Sequence, residues 1–443
     1  MSGSPGGPAI TLNVGPNTQG NDTIGVEGID FTSAGSGTQD LAIPLDTKGA
    51  KGQYQLIGVG GVAGLLPSAT TLLKAAPGRG QANAGAISSG GGGVNVLGSE
   101  ANVTDSPTVT TTVHSDTKLT ANGDVTIGSI SYVDASADGT DSGGGFVGVG
   151  ESKATITSQN NNSAVIGDTD VINAKGCFEL VAQSYATVNG STDSRGGGFV
   201  KIGDATTTTN LGYNTLATVG QLGQITAGST LSIESRSETN GVGNSTTRAS
   251  GFGTGAHAND SLFIGSPKDN TNVATTLTTV QTAATLVAPD VVVNAVTKYN
   301  TVANSTAVAS AFAAAVTANS TDSANETSHV AINPGAIIIG SRSVSIDALN
   351  TDISDVANAT ARCNAAFGSA DSTATTNIFG PSHFLSQNPL YSTLLPLIPD
   401  MSQVDASQGA TVKTPYLVTQ SIAAFNAVQN NTNTGGGFIV SGP

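Results

Sequence analysis

The chain has 443 residues, a formal net charge of −15 and only 4% aromatic residues, with no Trp. Its 16 Lys+Arg are scattered, which argues against nucleic acid as a partner because a phosphate-binding face needs clustered positive charge. No stretch approaches the about 20 apolar residues of a membrane-spanning helix, which argues against membrane insertion.

Residues 1–84 open with a Gly/Pro lead. The opening Met1-Ser2-Gly3-Ser4-Pro5 lacks the basic and apolar regions of a signal peptide. Ile10, Leu12 and Val14 alternate as in a β-strand. We expect this segment to cap the body that follows or to meet another subunit.

Residues 85–378 are built on a repeat. Gly143-Gly144-Gly145-Phe146-Val147 returns as Gly196-Gly197-Gly198-Phe199-Val200, and weaker copies surround Val94, Phe252, Phe312 and Phe367. The bulky markers, continued to Phe438, are spaced by 52, 53, 53, 60, 55 and 71 residues. A polar turn at Ala121-Asn122-Gly123-Asp124 recurs at Ala174-Lys175-Gly176-Cys177 and at Ala227-Gly228-Ser229-Thr230, again 53 apart. Such a period marks an array in which each unit buries its apolar face only against its neighbours.

After each turn the pattern has period two. Val125, Ile127, Ser129, Ser131, Val133, Ala135 and Ala137 fall on one side, and Phe178, Leu180, Ala182 and Ser184 repeat that side in the next unit. Leu231 and Ile233 open the unit after that. Alternation of this kind describes a long half-buried strand. The sequence therefore predicts an all-β fold, a parallel β-solenoid (β-helix) of ~53-residue repeats with atypical terminal segments. The uninterrupted alternation favours one wide, flattened coil per unit over several short ones.

Val125, Ile127, Phe178, Leu180, Leu231 and Ile233 are assigned to the repeat core, together with Phe146, Phe199, Phe252, Phe312 and Phe367. Val125, Phe178 and Leu231 should form one column, and Phe146, Phe199 and Phe252 another. Ala137 to Asp141 reads as a turn and Asn160-Asn161-Asn162 as a corner. The inward set of the return strand, Phe146 to Ile156, stays open, because Gly148 aligns with Lys201.

Residues 379–443 carry Pro381, Pro389, Pro396 and Pro399 in a Leu-rich stretch, then a short helix or strand from Pro415 to Gln429. The final Gly-Gly-Gly-Phe-Ile-Val phrase places Phe438 and Val440 in a terminal strand. With Ile10, Leu12 and Val14, these form a candidate end-to-end assembly set, since unpaired strand edges invite pairing.

Chemistry-bearing residues do not follow the repeat. His114, His257, His329 and His383 share no phase, so no catalytic residue is assigned and the chain is expected not to be an enzyme. Asp138, Asp141 and Asp193 are the weak candidates for calcium, a cation that takes several oxygen ligands from loops; turn residues are the plainer reading, and no cofactor is otherwise expected. Cys177 and Cys363 lack metal spacing and read as free structural cysteines. Asn-x-Ser/Thr sequons such as Asn102, Asn189, Asn244, Asn304 and Asn358 match what this composition alone would supply.

Leu119-Thr120-Ala121-Asn122-Gly123-Asp124-Val125-Thr126-Ile127, and Ile166-Gly167 followed by Ile172-Asn173-Ala174-Lys175-Gly176, resemble repeats of bacterial large exoproteins. These are the filamentous-haemagglutinin-type, leukotoxin-like repeat proteins, and the resemblance covers about residues 85–375. It implies a β-solenoid displayed outside a bacterial cell in an adhesive or scaffold role, with no catalytic residues to carry over. The family's amino-terminal secretion domain is not recognisable. The expected function is thus an extracellular or cell-surface structural protein that pairs with itself end to end and meets surface or matrix glycans. The alternatives are a carbohydrate-binding or carbohydrate-active β-helix protein and a phage or virion fibre.

Overall fold

A computed structural model describes residues 39–41, 54–59, 81–265, 274–379, 402–407, 409–436 and 439–440. Among these residues there is no helix, and every strand pairing is parallel. The fold is a parallel β-solenoid, as the phased repeat predicts.

One repeat makes one wide, flattened coil. The strand Val125–Ile166 pairs residue by residue with Phe178–Val219, 53 positions on, from Val125↔Phe178 to Ile166↔Val219. Each long strand runs out, reverses at a tip and runs back. Short strands, Val171–Ala174 and Gln224–Ala227, close the coil at the opposite edge and pair with each other. Asp116, Thr169, Leu222 and Ala283 turn that edge at φ between 57 and 65°, the left-handed region that a tight corner demands.

The ladder reaches beyond residues 85–378 on both sides. Gln39–Leu41 pairs with Thr117–Leu119, and Tyr54–Val59 pairs with Val125–Ile130. At the far end Leu417–Gly436 stacks on Val344–Asn364. Of the segment from Pro415 to Gln429, Leu417 onward is strand and none is helix. Ile10, Leu12, Val14, His383 and Phe438 lie outside the described residues.

The interior is thin, and three kinds of side chain share it. Near the closing edge stand columns of large aliphatics: Val125, Phe178, Leu231, Val291 and Val344, then Ile127, Leu180, Ile233, Val293 and Ile346. Burying each such side chain contributes about 1.5–3 kcal/mol. Toward the tip the columns become alanines, among them Ala249, Ala309 and Ala361, so the two walls approach closely. Between these zones runs a line of buried hydroxyls. Thr215 donates to Ser184 (2.7 Å), Ser237 to Thr215 (2.9 Å), Thr276 to Ser237 (2.8 Å), Thr297 to Thr276 (2.8 Å) and Ser328 to Thr297 (2.7 Å). Each hydroxyl is both donor and acceptor, so a continuous chain of them sits in a dry core without leaving polar groups unpaired.

Two expected turns are strand instead. Ala137 to Asp141 continues the outgoing strand, and the true reversal comes at Phe146. Asn160 and Asn162 face inward on the return strand. The Asn162 amide donates to the carbonyls of Gln183 (2.6 Å) and Ser129 (3.1 Å) across the core, bonds as good as any corner would offer. The inward phase reverses at the tip: Asp141 is buried before it, and Gly148, Gly150, Ser152 and Ala154 after it.

Candidate assembly surfaces

The phenylalanines mark an exposed edge, not the core. Phe146, Phe199, Phe252, Phe312 and Phe367 are between 45 and 63% exposed. Their phase placed them among the core residues, but they sit at the turning point, where the side chain projects away from both walls. Phe146, Phe199 and Phe252 do stack as a column, with centroids 4.9 and 5.0 Å apart and planes within 1°. Phe312 continues it at 4.9 Å. Phe367 pairs with Ala313, one position off the column, and meets Phe312 edge-on. Small bulges after Ala288 and Thr297 shift the register there.

The glycine before each of the first three rings lets adjacent coils approach closely; Ala311 takes that position before Phe312. A Cβ on Gly145 or Gly198 would collide with the carbonyl oxygen of Gly92 or Gly145 in the preceding coil. Inside the tip, Gly150 leaves room for the Asp141 carboxylate, since a Cβ there would stand 2.6 Å from its Oδ1. Burial pushes the Asp141 carboxyl above its ordinary range, against the opposing pull of the Ser194 hydroxyl and the Lys201 ammonium; burial pulls Lys201 down in turn.

The calcium candidates do not meet. Asp138 is exposed on the outer face and Asp141 is buried on the inner one, because residues three apart on a strand point to opposite sides. Asp193 is held by Arg195, whose Nε lies 2.7 Å from its carboxylate. The described histidines are equally apart: His114 at the closing corner, His257 on the outer return face and His329 half-buried in a later coil. Cys177 and Cys363 are both free.

Some sequons turn out to be an amide ladder. Asn304 donates to Asn244 (3.0 Å), Asn358 to Asn304 (2.8 Å) and Asn430 to Asn358 (2.7 Å). Parallel in-register strands place identical amides at bonding distance, which accounts for Asn recurring at these positions.

Sequence reasoning missed a set of buried carboxyl groups in the later coils. Glu326, Asp260, Asp322 and Asp355 are all essentially inaccessible. Glu326 reaches past the small Ala274 and accepts a hydrogen bond from Tyr213 at 2.6 Å. Thr301 donates to Asp355 at 2.6 Å, and the Asn304 N–H to Asp260 at 2.8 Å. Burial raises all four carboxyls, Glu326 to about 8, and Asp355 pushes Asp322 further in the same direction. Glu326 is thereby held protonated at neutral pH, whereas Asp355, raised to about 6, carries the charge that acts on Asp322. At the closing corner Asp170, bonded by the Thr117 N–H (2.7 Å), is raised to about 7 by burial first and by the charges of Asp116 and Asp168 after it.

Two further surfaces are open. Leu417–Gly436 forms the last coil, and its positions Leu417 and Phe425 continue the inward columns of Val344 and Ile353. Both are nonetheless about half exposed, at 52 and 55%, and Val440 pairs only with Gly368. At the closing edge a groove of about 380 Å³ is lined by His114, Ser115, Asp168, Gln221 and Gln281, with Val113 and Ile166 at its base. No family model matches this chain, and no curated protein or solved structure proves similar to it.

Proposed function

We propose that the chain is a non-enzymatic structural or adhesive protein of the cell exterior, whose subunits join end to end into a filament. The observation that carries this reading is the last coil. Leu417 and Phe425 stand in core columns yet are about half exposed, at 52 and 55%. Burying two half-exposed side chains of this size is worth on the order of 2–3 kcal/mol. A strand added from a second copy covers both side chains, as in strand addition to an open sheet edge. Head-to-tail contacts that do not close a ring propagate into fibres.

Electron microscopy and sedimentation of the purified chain test this. Filaments are expected, and the double variant L417D/F425D should abolish them while its circular dichroism stays β. Monodisperse single subunits at high concentration would overturn the reading. A glycan-binding role rests on the closing-edge groove, whose polar rim of His114, Ser115 and Asp168 over an apolar base suits a sugar. Binding of a polysaccharide that Asp168→Ala removes would favour that second role.

A further inference from the structure

We infer that the phenylalanine edge is a lateral docking surface for a second copy of this chain, each ridge of stacked rings seating in a trough beside the other copy's ridge. The ridge consists of Phe146, Phe199, Phe252, Phe312 and Phe367. The trough runs parallel to it on the outgoing face, through Gly144, Gly197, Ser250 and Ser310, which share one column two residues before the rings. A ridge and an adjacent trough on one surface are self-complementary under a two-fold operation, the requirement of an isologous contact.

The geometry selects this occupant over others. A sugar ring stacks on an aromatic face, but here the faces of Phe199 and Phe252 are taken up by their neighbours at 4.9–5.0 Å, leaving edges outward. A lipid surface wants a broad apolar plane, whereas the apolar residues beside this ridge are few and confined to its return side, at Val94, Val96 and Ile202. A second ladder has the same coil-by-coil pitch and meets every ring at the same height, as in the dry interfaces between paired in-register sheets.

The area fits as well. Five rings at 45–63% exposure present on the order of 500 Å². Exposed Val94, Val96 and Ile202 lie on the return side of the same edge and enlarge the patch. That approaches the about 800 Å² per partner of a standard interface. The contact is therefore weak between single subunits and grows with each subunit added to a filament. It stands on the tip alone and does not depend on end-to-end joining.

Cross-linking tests it directly. In a C177S/C363S background, Phe199→Cys should give a disulfide-linked dimer under mild oxidation, and Thr157→Cys on the outer return face should not. Scanning-microscopy mass per length should read two subunits per axial repeat in the parent and one in F199S/F252S. Filaments of single-subunit mass per length with no F199C dimer would overturn the lateral contact and leave end-to-end joining standing. F199C dimers without filaments would do the reverse. Binding of the parent to insoluble polysaccharide or to neutral phosphatidylcholine vesicles, lost in F199S/F252S, would assign the edge to that ligand and overturn the proposal.

Discussion

Glu326→Gln should change how stability depends on pH, and the size of the change follows from the burial of this one carboxyl. Glu326 is fully buried, is bonded by Tyr213 at 2.6 Å, and is raised from the usual 4.5 to about 8. A folded-state value above the unfolded one means that the folded protein holds the proton more tightly. The resulting stability is complete below about pH 4.5 and is lost as the pH climbs through 8. Over a window of ~3.5 units, at about 1.4 kcal/mol per unit, the loss amounts to about 5 kcal/mol, an order-of-magnitude figure. The amide introduced by Glu326→Gln keeps a hydrogen-bonding group opposite Tyr213 but does not titrate. Tyr299, Asp322 and Asp355 share the neighbourhood and titrate in both proteins, so the difference between them isolates Glu326. The assay is urea unfolding followed by circular dichroism at pH 5 and pH 9. The parent should lose more stability than Glu326→Gln on going to pH 9. Equal losses, or a parent that gains stability as the pH rises, would refute the reasoning.

Asp170→Asn should flatten a second pH-dependent component, one lost between about pH 4 and 7, because its folded value near 7 again lies above the unfolded one; thermal melts at pH 5 and 8 read this out. Leu180→Ala, in a column with no solvent access, should cost about 2–5 kcal/mol in urea unfolding, whereas Phe199→Ala at the half-exposed tip should cost much less. Gly198→Ala should break the stack locally, since its methyl collides with the Gly145 carbonyl; faster hydrogen exchange confined to Gly143–Val149 and Gly196–Ile202 is the expected sign. Asn304→Ala should remove two amide bonds of the outer ladder and cost about 1–2 kcal/mol, an effect absent from Asn189→Ala.

What could be read from the residues was what repeats. The period of 53, the alternation from Val125 to Ala137 and the column Val125–Phe178–Leu231 all follow from identical positions in successive coils seeing identical surroundings. What could not be read was where a repeated residue points. An aromatic that recurs in phase looks the same whether it fills a core or crowns an edge, and only the reversal at Phe146 puts its ring outside. The return strand hid its phase because Gly143 to Gly145 carry no alternation from which to count. Asn160 and Asn162 looked like corner residues because isolated polar side chains are seldom inward; here carbonyls on the opposite wall receive them, that of Tyr185 for Asn160 and those of Ser129 and Gln183 for Asn162. The carboxyl cluster left no trace in the sequence, since Tyr213 and Glu326 are 113 residues apart and belong to coils that are not adjacent.

The strict one-coil register also governs how such a body can change length. Apart from Phe146 at the tip, each residue in Val125–Ile166 finds its ladder partner 53 positions on, so inserting or deleting a whole coil would leave the remaining register intact and alter only how long the rod is. A gain of one residue inside a strand would instead swap inner for outer faces along the rest of it, unless a bulge absorbs it as after Ala288 and Thr297. Two of the larger departures from the period fall at one place. In the coil opened by Thr230–Ile264 the ladder leaves at Ile264 and resumes at Ala274; in a later coil it leaves at Phe379 and resumes at Ser402. Both gaps open at nearly the same height on the return wall. At that height a longer connection leaves the ladder on either side in register, so the stack keeps its count of coils.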